Sequence, residues 1–215
     1  YFRQKFAQVT NPPIDPLREA IVMSLEVDLG GEANLFEETE AHAGRTSLTS
    51  PVLSQGKFES ILALHESDLR VQIIDATYDP DDIDLKTALT NLCLEAAAHV
   101  VGGSNVLVVS DRAFGETRLP IHSLLATGAI HHHLIEHGLR ADSNLIVESG
   151  SARDSHQVAC LLGFGATAVY PYLAYSVLTA QLASGEVLGA PATCHKNYRK
   201  GINKGLLKIM SKMGI

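Results

Sequence analysis

The chain has 215 residues, of which 46% are hydrophobic and 19% charged. That is enough for one sizeable core, and no apolar run reaches the ~18 residues of a membrane-spanning helix. Net charge is −7, yet residues 196–215 carry six Lys and Arg and no acid, so the remainder stands at −13 and general affinity for nucleic acid is excluded.

In chain order, residues 1–16 are polar and end in Asn11-Pro12-Pro13-Ile14-Asp15-Pro16. Asp15 suits a helix N-cap and Pro16 a first helical position. Leu17, Ala20, Ile21 and Leu25 continue that helix until Gly30-Gly31 interrupts it. Residues 30–56 read as loop-rich and residues 58–64 as a short helix. From residue 69 the pattern changes to apolar, β-branched runs alternating with longer helical stretches. Strands are predicted over 71–75, 105–111, 144–148 and 167–170, and helices over 83–101, 120–138, 154–162 and 174–183. Such alternation implies right-handed βαβ units. The predicted fold class is therefore α/β: a parallel sheet of βαβ units, an incomplete (β/α) barrel or a small doubly wound sheet, after an irregular N-terminal helical segment. Nearly continuous apolar strands imply burial on both faces. Residues 196–215 read as an amphipathic basic helix with one solvated face, running into Gly214. With Tyr1 in place of a Met, this ending suggests a piece of a longer polypeptide.

In such folds chemistry gathers at the carboxyl ends of the strands. Here those ends carry Asp75, Ser110-Asp111-Arg112, Glu148-Ser149-Gly150-Ser151 and Tyr170-Pro171-Tyr172. Asp111 and Glu148, with His156 nearby, are the candidate polar cluster for acid–base or metal chemistry. The competing reading has these carboxylates capping helices or bonding to Arg112 and Arg153. Neither a G-x-G-x-x-G turn nor a P-loop is present. His133 and His137 share a helix face at i, i+4, but no carboxylate completes a metal motif, which favours structural roles for the run His131-His132-His133. Cys93, Cys160 and Cys194 are odd in number and lack C-x-x-C spacing. That argues against a disulfide framework or zinc site and fits a reducing compartment.

Several segments together resemble the central domain of the glutamate synthase large subunit. They are residues 1–16, Ser110-Asp111-Arg112, Ser123-Leu124-Leu125-Ala126 with His131-His132-His133-Leu134-Ile135, Val147-Glu148-Ser149-Gly150, Leu161-Leu162-Gly163-Phe164-Gly165-Ala166, Pro171-Tyr172-Leu173-Ala174, and residues 198–215. The resemblance implies a connecting domain over 1–195 and the start of an FMN-binding barrel over 196–215. It implies partners in the same parent chain, a glutaminase (amidotransferase) domain before it and the FMN domain after it, with no nucleic acid or membrane involved. The parent enzyme would make L-glutamate from L-glutamine and 2-oxoglutarate using FMN and an iron–sulfur cluster, in the cytoplasm or a plastid stroma. No catalytic, cofactor-binding or metal residue is implied within these residues. Thr10 and Asn11, on the double-proline loop, are implied to lie beside the ammonia tunnel between domains. The alternative that the residues leave open is a small stand-alone (β/α) enzyme using the strand-end cluster.

Overall fold

The computed structural model describes residues 19–34, 36–64 and 69–213. A short helix α1 (Glu19–Val22) leads into strand β1 (Val27–Leu29), which pairs antiparallel with β2 (Thr46–Leu48). Helix α2 (Gln55–Leu62) follows, N-capped by Ser54, whose hydroxyl accepts from Lys57 N. Then come β3 (Val71–Asp75), β4 (Thr77–Tyr78), α3 (Leu85–Val101), β5 (Val106–Ser110), β6 (Leu119–Pro120) and α4 (Ser123–Glu136). The series ends with β7 (Asn144–Glu148), α5 (Ser155–Gly163), β8 (Ala168–Tyr170), α6 (Tyr172–Ser184) and α7 (Pro191–Met213).

The four long strands form one parallel sheet in the order β3-β5-β7-β8. This is the α/β architecture expected, open rather than closed into a barrel. All five residues of β5 are buried, as two covered faces require. Val106, Val108, Ile146, Ala168 and Tyr170 face a core with Leu29, Leu53, Phe58 and Ile61. Leu107, Val109 and Leu145 pack opposite, against Leu92 and Ala96 of α3 and Ile130 and Leu134 of α4. Val147 and Val169 meet Val158 and Leu161 of α5 and Ile202 and Leu206 of α7. Each fully buried Leu or Ile of this kind contributes roughly 1.5–3 kcal/mol.

The two edges of the sheet differ. Residues 51–53 cover β8, where Val169 N donates to Pro51 O (2.7 Å) and Leu53 N to Val169 O (2.9 Å). At β3, Val106 N donates to Arg70 O and Ala76 N to Ser110 O. By the alternation of a parallel ladder, the backbone groups of Val71, Ile73 and Asp75 then face outward. Among the described residues, only a side chain of the same strand reaches them, Gln72 Nε2 to Ile73 O at 3.4 Å, and Ile73 is 49% exposed.

Three sequence expectations need correction. The helix expected through Leu25 ends at Val22, and residues 27–29 form strand β1 before Gly30. Pro120 does not open a helix: it pairs with Thr77 in a two-residue ladder, and α4 begins at Ser123. The short helix starts at Gln55 rather than at residue 58, because Ser54 supplies its cap. The position between residues 195 and 196 falls inside the continuous helix α7, whose Ile202 and Leu206 are buried while Lys196, Lys200 and Lys204 are exposed.

Candidate functional site

Parallel strands bring their carboxyl ends to one side of the sheet, and the register decides which side chains meet. Asp75, Ser110, Glu148 and Tyr170 occupy one row across β3, β5, β7 and β8. Neighbours in such a row point to the same face. Ser110 Oγ accordingly donates to Glu148 Oε2 at 2.7 Å, and Arg112 Nη1 donates to Glu148 Oε1 at 2.7 Å. The guanidinium lies over the Tyr172 ring, 4.9 Å from its centroid. Bonding to Glu148 holds Arg112 above its ordinary range, against burial. Asp75, at the end of the row, turns to its own surroundings: it accepts from Thr77 N and Oγ1 and pairs with Arg118 Nη2 at 2.8 Å.

Asp111 follows Ser110, so strand alternation turns it to the opposite face from Glu148. There its carboxylate accepts from Gly150 N (2.9 and 3.0 Å) and Ser149 Oγ (3.2 Å). A relay of hydroxyls continues from Ser149 Oγ through Ser151 Oγ (3.0 Å) to Ser123 Oγ (2.9 Å) at the start of α4. Tyr172 Oη is buried without a hydrogen bond of good geometry, against Gly150, where an added Cβ would lie 2.9 Å from it. Burial and the nearby Asp111 carboxylate push this phenol far above its usual range.

The sheet thus joins Asp111 and Glu148 to Ser110, Arg112, Ser123, Ser149, Ser151 and Tyr172. It does not bring in His156, which is exposed on the first turn of α5 with Nε2 3.7 Å from Cys160 Sγ. Thr10 and Asn11 lie outside the described residues. The hydroxyls of Ser149 and Ser151 were visible as strand-end residues, whereas Ser123 carried no signal beyond its place at a helix start.

Burial, with a smaller contribution from Glu148, raises the Asp111 carboxyl above its ordinary range, against the pull of Gly150 N–H and Ser149. The folded state therefore holds this proton to higher pH than the unfolded chain. The stability contributed by this group falls as pH rises from about 3.9 through the raised value. Asp111→Asn keeps an oxygen for Gly150 N–H and removes the charge. It is expected to flatten that part of the stability–pH curve and to leave the chain no less stable near neutral pH. Urea unfolding at about pH 4 and about pH 7 checks this; a loss above ~1 kcal/mol near neutrality would show that the charge itself is needed.

The other sequence candidates are engaged locally. His131 Nδ1 accepts from Arg140 Nε (3.0 Å), and burial followed by Arg140 lowers its basicity. The His133 and His137 rings lie 4.2 Å apart, but His137 Nδ1 bonds to His133 O. Cys93, Cys160 and Cys194 are free thiols on α3, α5 and α7, and burial pushes the Cys93 thiol up. Among the described residues no group of three or more His, Cys, Asp or Glu is placed to hold a metal ion, and no helix is long and apolar enough to cross a membrane.

The family described as "Glutamate synthase central domain" matches this chain over residues 1–215. The chain belongs to that family. Its relatives differ in electron donor by name. It is 43% identical over 230 residues to a chloroplastic ferredoxin-dependent glutamate synthase of Oryza sativa subsp. japonica, covering 100% of this chain and 14% of that protein. It is 41% identical over 221 residues to a glutamate synthase [NADH] of Schizosaccharomyces pombe, covering 100% and 10%. It is 40% identical to a glutamate synthase [NADPH] large chain of Bacillus subtilis, covering 100% and 14%.

The described residues do not fit FMN or an iron–sulfur cluster. Cluster ligation needs several thiolates converging on one point, and these three thiols stand on separate helices. A flavin phosphate at the strand ends would meet the buried carboxyls of Asp111 (6% exposed) and Glu148 (5% exposed).

Proposed function

We propose that this chain is the connecting domain of a glutamate synthase, joining a glutaminase domain to an FMN barrel. The longer enzyme makes L-glutamate from L-glutamine and 2-oxoglutarate, with its reduced flavin and iron–sulfur cluster held elsewhere in the polypeptide. The observation that carries this reading is the engagement of both carboxylate oxygens of Asp111 and of Glu148 by donors of the chain itself. Carboxylates so bonded order the strand ends and stiffen the sheet. A rigid sheet set between two active centres keeps their separation fixed, which a channelled intermediate requires.

Within that reading, Thr10 and Asn11 contribute to the ammonia path. A double-proline turn presents backbone carbonyls and two small polar side chains at a fixed place, and such groups accept hydrogen bonds from ammonia. Thr10→Val or Asn11→Ala in the full enzyme is expected to lower the glutamate formed per glutamine hydrolysed, while glutamine hydrolysis itself persists. Unchanged stoichiometry in both variants would remove the tunnel role. Turnover of glutamine and 2-oxoglutarate by the 215 residues supplied with FMN would remove the connecting-domain reading altogether.

A further inference from the structure

Helix α6 reads Tyr-Leu-Ala-Tyr-Ser-Val-Leu-Thr-Ala-Gln-Leu-Ala-Ser and holds no charged side chain in 13 residues. Its inward face is anchored by Tyr172 and Tyr175; Tyr175 Oη donates to Leu53 O at 2.9 Å. The outward face carries Leu173, Val177 and Ala180, spaced at i, i+4, i+7 and all exposed, beside the hydroxyls of Ser176 and Thr179. A helix with large apolar side chains on both faces and no charge belongs largely in an interior. Here half of it is bare: Val177 is 50% exposed, and Leu188, just beyond the helix, is 88% exposed.

An open groove of about 980 Å³ runs between α6, the start of α7 and the loop after β7. It is lined by Leu173, Val177, Leu178 and Val187 together with the polar His122, Arg153 and Asn197. A mostly apolar lining with polar groups among it is found at protein interfaces. Two of the polar side chains along it are bonded to the backbone of Arg153. Gln157 Oε1 accepts from Arg153 N, and Tyr198 Oη donates to Arg153 O at 2.9 Å. The groove offers mainly apolar area, which suits a protein surface better than a small polar ligand.

We propose that the outward face of α6, with Val187 and Leu188, is the seat for an uncharged, apolar surface of the same polypeptide outside residues 1–215. The occupant is assigned in cis because this chain accounts for 14% or 10% of its relatives' length, so most of such a polypeptide lies elsewhere. Contacts between domains of one chain commonly bury 600–1,500 Å², by order of magnitude. The inference rests on the reading of the chain as one domain of a longer enzyme, and it adds which face is covered.

The test uses the full-length polypeptide. A photo-reactive benzoylphenylalanine is placed at Val177 or at Leu188, and at the exposed Lys57 as reference, in a mixture of isotopically heavy and light copies. Cross-links from both apolar positions to same-isotope peptides outside the 215 residues are expected, at a yield well above Lys57. Cross-links to a second copy, to a separate protein or only within the 215 residues would overturn the proposal, as would a yield equal to that at Lys57. Hydroxyl-radical oxidation of the unsubstituted polypeptide gives a second reading: Leu188 is expected to react as slowly as the buried Leu134, and reaction as a free surface leucine overturns the proposal. Intact cross-links alongside unchanged coupling in the Thr10 and Asn11 variants would sink the tunnel role alone.

Discussion

Gly165→Ala is expected to cost about 3 kcal/mol of folding stability or more, the largest loss from adding one methyl group to this chain. Two effects add. Gly165 has φ +110°, a backbone conformation that side chains rarely adopt. Its new Cβ would also lie 2.3–2.8 Å from the Nδ1, Cγ and Cβ atoms of His131, so the whole side chain must move. That movement breaks a clamp. Arg140 binds His131 with Nε, Ser143 O with Nη1 (2.5 Å) and Gly165 O with Nη2 (2.8 Å), tying α4 to the turns before β7 and β8. Thermal unfolding checks the prediction; for a chain of this size the midpoint should drop by roughly 6–12 °C. A drop of only a degree or two would mean that the turn relaxes freely and that Arg140 does not bind it.

Gly205→Ala is expected to cost about 2–3 kcal/mol, against the usual trend, because alanine in mid-helix ordinarily gains ~1 kcal/mol over glycine. The new Cβ would sit 2.0 Å from Ser155 Oγ and 2.4 Å from Ser155 Cβ, forcing α7 away from α5 beside the buried Ile202 and Leu206. Gly201, one turn earlier on the same helix, has nothing within 4 Å of such a Cβ, so Gly201→Ala should stabilise by about that helix-propensity gain. Adding Ser155→Gly to Gly205→Ala should recover much of the loss, and a double-mutant cycle measures the coupling. Equal effects at 201 and 205 would show that propensity, not helix contact, decides.

Much of the fold was legible because its central elements are unambiguous. Val106–Val109 is apolar throughout and reads as a covered strand, and Asp154 stands at the start of the helix whose first turn it caps. The β1–β2 and β4–β6 ladders escaped notice because strands of two or three residues show no periodicity. They exist through tertiary contact, as when Arg118 bonds Thr77 and Asp75 from forty residues away. At the strand ends the residue types were readable and their facing was not. Register sets Glu148 beside Ser110, while alternation turns Asp111 away. His156 is removed by the cap at Asp154, which starts α5 one residue earlier and sends the imidazole along the helix to Cys160. The clamp of His131, Arg140 and Gly165 joins positions up to 34 residues apart and has no local signature.

The bare margin of β3 bears on handling these residues by themselves. Val71-Gln72-Ile73-Ile74-Asp75 is short, flat in hydropathy and without lysine or proline to discourage a visitor. Three outward pairs of amide and carbonyl groups form a ready template for backbone from another molecule. Asp75, held by Arg118, is the only charge along the strip. Backbone added along it would make this margin a meeting point of two chains, and fibril nuclei formed that way would carry β3 at their centre.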